Sequence, residues 1–152
     1  MLDSAAALAR VPLFARLSRI DLARLAGELV EVRFPAGAVV IEAGAPGDAF
    51  FVVAEGIAEV RAGAPVALGA GEGFGEMALL ADSLRTATVA ARTGLVCWRL
   101  GRDRFLGLLD RERGIAAAIE RSLSERLAAT TRETAELREA GLAHARRALA
   151  TL

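Results

Sequence analysis

The chain has 152 residues, long enough to bury a hydrophobic core as a single domain. Its 19 basic residues, all arginine, balance 19 acidic residues, and this zero net charge argues against non-specific nucleic-acid binding. The single cysteine, Cys97, excludes an intramolecular disulfide and fits a reducing cytosol.

The first ten residues contain Asp3 and no early positive charge, unlike a signal peptide, so we expect a cytoplasmic protein.

Residues 1–30 are predicted to be helical. The segment "VPLF" predicts a short turn that leaves Phe14 free to pack against later parts of the chain. Ser18 is then a candidate N-cap for a helix with one apolar face. That face is predicted to comprise Ile20, Leu22, Leu25, Leu29 and Val30.

Between residues 31 and 100 the pattern changes to that of short strands. Seven short segments are rich in Val, Ile, Phe and Thr, and Gly, Pro or Asp interrupts almost every gap between them. They are "EVRF", "AVVIE", "AFFVVAE", "IAEVRA", "PVALG", "TATVAART" and "LVCWRL". Short strands at this regular spacing suggest an antiparallel sandwich, jelly roll or barrel, and we expect a jelly roll of about eight strands. Acidic residues interrupt even the most apolar window, which therefore lacks the ~20 apolar residues of a membrane span.

Residues 101–152 return to a helical pattern. "GRDRFLGLLDRE" predicts a short helix, and Gly114 is the predicted break before one long helix or two in succession. An apolar stripe on the later helix predicts packing on the β unit, on a second subunit in a homodimer, or on both. The stripe consists of Ile115, Ile119, Leu123, Leu127, Thr130, Thr134 and Leu137.

The fold class is therefore mainly β with flanking helices (α+β).

The residues that the chain lacks argue against catalytic and metal sites. The only histidine is His144 in the tail, so a histidine metal cluster and a Cys/His nucleophile are unsupported. Neither a G-x-S-x-G elbow nor a Walker lysine nor a dinucleotide-binding fingerprint occurs. We therefore expect a protein that is not an enzyme, with no catalytic residue, metal or cofactor.

The stretch "GEGFGEMALLADSLRTATV", residues 71–89, is the strongest candidate for a site. Its glycines allow sharp turns and close approach to a ligand. If residues 76–80 form one helical turn, the amides of Met77 and Ala78 point out of its N-terminus and attract an anion. Arg85 adds a planar cation that matches phosphate oxygens, and Glu76 suits a sugar hydroxyl. The alternative is a hairpin tip with two solvated charges.

This stretch resembles the phosphate-binding cassette of the cyclic nucleotide-binding domain family, whose pattern is Phe-Gly-Glu, an apolar helical turn, and then Arg, a small residue, Ala and Ser or Thr. The resemblance extends over about Val11 to Thr134 and includes the turn "GAPGD" at Gly44–Asp48. It implies that Glu76 binds the ribose 2′-hydroxyl and that Arg85 binds the cyclic phosphate.

The same resemblance implies roles for the neighbours of these two charged residues. Phe74 belongs to the motif, the amides of Gly75, Met77 and Ala78 assist phosphate binding, and Thr86 lies beside phosphate and base. Leu84 departs from the pattern, because many members carry proline there. Since proline only presets the backbone, this departure should reduce pre-organisation and leave the chemistry intact.

The base preference rests on three threonines. Thr86 stands where several guanine-preferring members also carry threonine. "ERLAATTRET" resembles the long helix of catabolite activator proteins, which places Thr130 and Thr131 at an adenine base. The alternative for two mid-helix threonines is a surface position or a bond to the preceding turn. The sequence thus favours cyclic AMP over cyclic GMP.

We therefore expect a cyclic-nucleotide sensor in which residues 1–30 form the entry helices, residues 31–100 the jelly roll, and residues 101–152 a lid or dimerisation segment. A fused or separate effector domain is expected to read the switch, and no direct DNA binding is expected. Two alternatives stay open: a truncated or diverged DNA-binding regulator of the catabolite activator type, and a ligand-free scaffold with the same fold.

Overall fold

The structure, a computed structural model, describes residues 1–81 and 84–125. Thr130 and Thr131, and with them the later part of the predicted C-terminal helix, lie outside the described residues. Among the described helices, none combines the length and the hydropathy that a bilayer-spanning helix requires.

Short helices open the chain. Helix α1 spans Ser4–Ala9, a 3-10 turn spans Pro12–Phe14, and helix α2 spans Arg19–Ala26. The predicted N-cap is confirmed, because the Ser18 side chain accepts a hydrogen bond of 3.1 Å from the amide of Asp21.

The predicted apolar face of α2 is partly wrong. Leu25 is fully buried, but Ile20 is 69% exposed and Val30 already lies in the first strand. At 3.6 residues per turn, Ile20 lies about 140° around the helix from Leu25 and therefore faces solvent.

The predicted jelly roll is confirmed. In the described residues eight strands form two antiparallel four-stranded sheets, in the orders β1-β8-β3-β6 and β2-β7-β4-β5. Seven strands coincide with predicted segments, whereas the two-residue β6 is too short to give a sequence pattern. The strands are β1 Val30–Phe34, β2 Val39–Ile41, β3 Ala49–Glu55, β4 Ala58–Arg61, β5 Val66–Leu68, β6 Gly73–Phe74, β7 Thr88–Ala91 and β8 Leu95–Gly101.

Strand β3 is buried on both of its faces. Because side chains alternate along a strand, Phe51 and Val53 face the second sheet, whereas Phe50 and Val52 face the helices. Cys97 lies fully buried between the sheets, and this burial raises the pKa of its thiol to about 12. Cys97 is thus a structural thiol that stays protonated at neutral pH.

The N-terminal and C-terminal helices pack together on the outer face of the first sheet. Helix α4 spans Arg102–Arg111, and residues 113–125 are again helical and are called α5 here. As predicted, Phe14 packs against later parts of the chain: its ring lies 6.3 Å from that of Phe50 and 6.2 Å from that of Phe105. Leu25, Leu108, Ile115 and Ile119 complete this core.

The helix break occurs at Glu112 and not at the predicted Gly114. Glu112 has an extended backbone, and its carboxylate accepts a 2.8 Å bond from Arg24 in α2. Gly114 lies inside the next helix, where a Cβ atom would stand 3.2 Å from Oδ2 of Asp21. A side chain at position 114 would therefore require the Asp21 carboxylate to shift by a few tenths of an ångström.

Candidate functional site

The stretch between β5 and β7 turns sharply at Gly75 and then forms the one-turn helix α3, Met77–Leu80. Gly75 has a φ of +80°, which disfavours any other residue. A Cβ atom there would also lie 2.6 Å from Nη1 of Arg85 and 3.1 Å from the carbonyl oxygen of Ala49. Glycine at this position therefore lets three chain segments meet.

The amide of Ala78 is not free, in contrast to the prediction. It donates a 3.1 Å hydrogen bond to the carbonyl of Gly75, and the amide of Leu79 donates a bond of the same length to the backbone carbonyl of Glu76. Bonds of this i→i−3 type tighten the ends of short helices and use amides that a longer helix leaves unpaired. An anion bound at this amide would therefore have to compete with the carbonyl of Gly75 for the same donor.

The guanidinium of Arg85 is held by backbone carbonyls. Nη2 donates a 2.7 Å bond to Ala49, and Nη1 donates a 3.4 Å bond to Gly75. Burial lowers the pKa of Arg85, the Asp48 carboxylate opposes this effect, and the cation of Arg99 adds to it. The guanidinium still remains protonated at neutral pH.

The turn "GAPGD" explains how Arg85 reaches this position. The amide of Arg85 donates to Ala45, and the carbonyl of Arg85 accepts from Gly44, both at 2.8 Å. Gly47 then leaves room for the guanidinium, since a Cβ atom there would lie 3.0 Å from Arg85 Cζ. Sequence reasoning recognised this turn but missed that its glycine positions the cation.

Phe74 and Glu76 flank Gly75. Phe74 is buried and stacks on Phe51, with ring centroids 5.2 Å apart and ring planes inclined by 9°. Glu76 is half-buried and borders two cavities of about 420 and 240 Å³ on different sides of the stretch. The backbone of Glu76 thus lies between a buried aromatic anchor, Phe74, and the start of α3.

The larger cavity brings together six of the seven cassette residues that were predicted to bind the ligand, the seventh being Met77 at the start of α3. Its walls include Phe74, Gly75, Glu76, Ala78, Arg85 and the exposed Thr86. Its volume of about 420 Å³ falls in the range of about 300–1,000 Å³ that small-molecule sites occupy. The remaining walls are apolar: Ile41, Val60, Leu84, Ala87 and Val89. The cavity wall therefore combines two charged residues with an apolar surface.

Ile41 and Val60 were not anticipated from the sequence. Each is the register partner of Val89, on β2 and β4 respectively, so three β-branched side chains lie side by side across the sheet. Strand alternation alone does not reveal which pairs become neighbours, because the pairing is set by sheet topology.

The described parts of α4 and α5 contribute no residue to the wall of this cavity. Helix α4 is connected to α3 and its C-terminal neighbour instead. Arg102 Nη1 donates to the carbonyls of Ala81 and Ala78, at 3.3 and 3.5 Å, and the Arg102 amide donates to the backbone carbonyl of Asp48 at 2.8 Å. Leu79 of α3 is fully buried in the helical core. A displacement of α3 would therefore change its hydrogen bonds to Arg102 of α4.

Metal-binding groups are not found in this part of the molecule. Within residues 1–81 and 84–125, the His, Cys, Asp and Glu side chains form no group of three that could hold a metal ion.

Comparison with known proteins gives consistent matches. The sequence profile of the cyclic nucleotide-binding domain matches residues 31–112. A cAMP-dependent protein kinase regulatory subunit from Aspergillus fumigatus is 42% identical over 106 residues, which are 67% of this chain and 26% of that protein. The cyclic nucleotide-gated potassium channel mll3241 from Mesorhizobium japonicum is 39% identical over 118 residues, 78% of this chain and 33% of the channel. The matched part thus spans about a quarter to a third of these curated relatives.

A solved structure resembles the chain over most of its length. The N-terminal domain of a transcriptional regulator from Streptomyces coelicolor A3(2) superimposes with a TM-score of 0.78 and 30% sequence identity. The similarity covers 84% of this chain and 94% of that domain.

Proposed function

The chain belongs to the cyclic nucleotide-binding domain family, and we propose that it is a regulatory sensor that binds cyclic AMP in preference to cyclic GMP in the cavity at Glu76 and Arg85. The observation that supports this most is that one cavity is lined by an acidic and a basic residue together. Glu76, Arg85, Gly75 and Ala78 border the same space.

Arg85 is suited to the cyclic phosphate. A guanidinium has five N–H donors in one plane, and in Arg85 two hydrogen bonds to carbonyls hold that plane in place. Its remaining donors suit two phosphate oxygens, and such charge-assisted bonds are the strong ones in proteins. A rigidly held cation also loses little conformational entropy when the ligand binds.

Glu76 is suited to the ribose. A carboxylate repels phosphate but accepts a hydrogen bond from a hydroxyl, so its natural partner is the ribose 2′-OH. This contact would distinguish ribose from deoxyribose cyclic nucleotides. It also disfavours ligands with additional phosphate charge, because they would bring more negative charge to the same end of the cavity.

The preference for cyclic AMP is supported by the relatives named as cAMP-dependent kinase regulatory subunits. Thr86 provides a hydroxyl at the cavity wall, and Thr130 and Thr131 remain predicted base contacts.

We propose that the signal leaves the site through α3. A phosphate that competes for the amide of Ala78 would pull on α3, whose Leu79 is packed in the helical core and whose carbonyls bind Arg102. Helices α4 and α5 would then move as the element whose two positions report occupancy. A homodimer partner or an effector domain would read that position.

The test is calorimetric titration with cyclic AMP and cyclic GMP, after removal of nucleotide carried over from expression. We expect one ligand per chain and tighter binding of cyclic AMP. Arg85→Ala should weaken binding about 30-fold or more, because the phosphate loses its charged partner. Arg61→Ala, which removes an exposed arginine outside the cavity, is the matched control. Absence of binding to the folded, nucleotide-free protein would refute the proposal.

A second candidate is a sensor that serves a transcription regulator. It is favoured by the similarity to the Streptomyces coelicolor domain over most of the chain. A mobility-shift titration with duplex DNA, with and without cyclic AMP, tests whether this chain itself contacts DNA; we expect no shift.

A further inference from the structure

Leu84 is an exposed apolar side chain at the wall of the nucleotide cavity. It is 64% exposed, whereas Val89 on another wall of the same cavity is only 2% exposed. Leu84 therefore lies at the mouth of the cavity, and Val89 lies at its floor. Exposed leucines are common at protein surfaces, but this one borders the cavity that Glu76 and Arg85 also line.

The position of Leu84 is set by the backbone around it. Leu84 forms an isolated antiparallel bridge with Pro46, and the next residue, Arg85, makes two 2.8 Å backbone hydrogen bonds to Gly44 and Ala45. These contacts hold residues 84 and 85 extended against the turn. The contacts that fix the backbone of Arg85 thus also fix the backbone of Leu84.

The residues of the cavity wall suit the two halves of a cyclic nucleotide. Glu76 and Arg85 suit ribose and phosphate. What remains is the apolar floor formed by Ile41, Val60 and Val89, with Leu84 at the mouth. A nucleobase has apolar faces and needs such surroundings once the sugar phosphate is in place.

We propose that Leu84 is a base-contact residue, which covers the nucleobase from the open side of the cavity. This inference rests on the proposed function and adds a residue to it. Because a leucine side chain makes only apolar contacts, its contribution is the same for adenine and guanine. Leu84 therefore raises the affinity for base-bearing ligands without selecting between the two purines.

The test compares ligands with and without a base. The probes are cyclic AMP, cyclic GMP and the base-free analogue methyl β-riboside 3′,5′-cyclic phosphate, titrated into the full chain. Leu84→Ala should weaken both cyclic nucleotides about three- to tenfold, the range expected for partial loss of a buried leucine contact. The same substitution should leave the base-free analogue unchanged. Leu84→Met, which keeps an apolar side chain of similar volume, should restore most of the affinity.

Ile20→Ala is the matched control. Ile20 is also an exposed apolar residue, at 69%, but it lies on α2 and not in the cavity wall, so this variant should bind all three probes like the wild type.

Two results would overturn the inference itself. If Leu84→Ala binds cyclic AMP and cyclic GMP as tightly as Ile20→Ala does, Leu84 makes no base contact. If it weakens the base-free analogue by the same factor, Leu84 acts on the sugar-phosphate site or on a covering segment of the chain. If the wild type binds none of the three probes, the proposed function itself is refuted. That result differs from both results above, in which the wild type binds and only the role of Leu84 fails.

Discussion

Gly47 lies directly against the guanidinium of Arg85. A Cβ atom at position 47 would stand 3.0 Å from both Cζ and Nε of Arg85 and 3.1 Å from its Nη1. Contacts this short are rare for real Cβ atoms, so a side chain at 47 would force the cation to shift. The turn before β3 therefore helps to position the Arg85 guanidinium, because Gly47 has no side chain to displace it.

Gly47→Ala should weaken cyclic-nucleotide binding by about 1–2 kcal/mol, or five- to thirtyfold in Kd, because the guanidinium moves away from its preferred position. Gly69→Ala is the matched control, since a Cβ atom there meets nothing within 4 Å. Titration calorimetry gives the affinities, and urea unfolding shows whether the fold is unaffected. Equal affinities for the two variants would contradict this role of Gly47.

Glu76→Gln should weaken the binding of cyclic AMP about 10- to 100-fold, because a hydrogen bond to a charged acceptor is replaced by a neutral one. The 2′-deoxy analogue should bind the wild type weakly and should lose nothing further in the variant. Competition titrations with both ligands form a double-mutant cycle. Equal losses for the two ligands would show that Glu76 does not contact the 2′-hydroxyl.

Leu79→Ala should lower the free energy of unfolding by about 2–5 kcal/mol, because it leaves a cavity where α3 meets the helical core. Leu106→Ala on α4 removes a leucine that is 45% exposed and should change stability by no more than about 0.5 kcal/mol. Urea denaturation followed by circular dichroism measures both. A small effect at Leu79 would mean that α3 is not anchored in this core.

The pH dependence of stability should reveal the buried thiol of Cys97. Its pKa rises from an ordinary value of 9.0 to about 12 in the folded state. Between these values the unfolded chain binds fewer protons than the folded one, so the free energy of unfolding falls as pH rises above 9.

Unfolding measured from pH 8 to 11 for the wild type and for Cys97→Ala isolates this effect. The variant should lack this component of the alkaline decline, and native Cys97 should resist alkylation that proceeds readily in urea. Parallel pH profiles for the two proteins would contradict the assignment.

Trp98 reports on the N-terminus. Its indole N–H donates a 2.8 Å hydrogen bond to the carbonyl of Leu2, whose own amide donates to Ala54 at 3.0 Å. Deletion of residues 1–3 should expose the indole and shift its emission to longer wavelength. Leu2→Ala keeps the backbone carbonyl and should shift the emission less. Since Trp98 is the only tryptophan, steady-state fluorescence measures the effect directly.

Local patterns predicted most of the fold. Ser18 was identified as a cap because a hydroxyl before an apolar helical run has one common use, and seven of the strands were identified because β-branched runs end at glycine, proline or aspartate. The same reasoning was wrong for Ile20 and Gly114. Their positions depend on what packs against the helix and not on the helix itself.

By itself, the sequence predicted an antiparallel β unit between flanking helices, because backbone preferences are local properties, and its resemblance to a family predicted the cassette with Glu76 and Arg85 as its charged residues. Only the tertiary structure decided that Gly47 makes room for Arg85, that Ala49 accepts its hydrogen bond, and that the Ala78 amide is already engaged. The bond from Arg85 to Ala49 joins residues 36 positions apart in the chain. Such distances are set by how two sheets and a helical layer pack together, which no local pattern specifies.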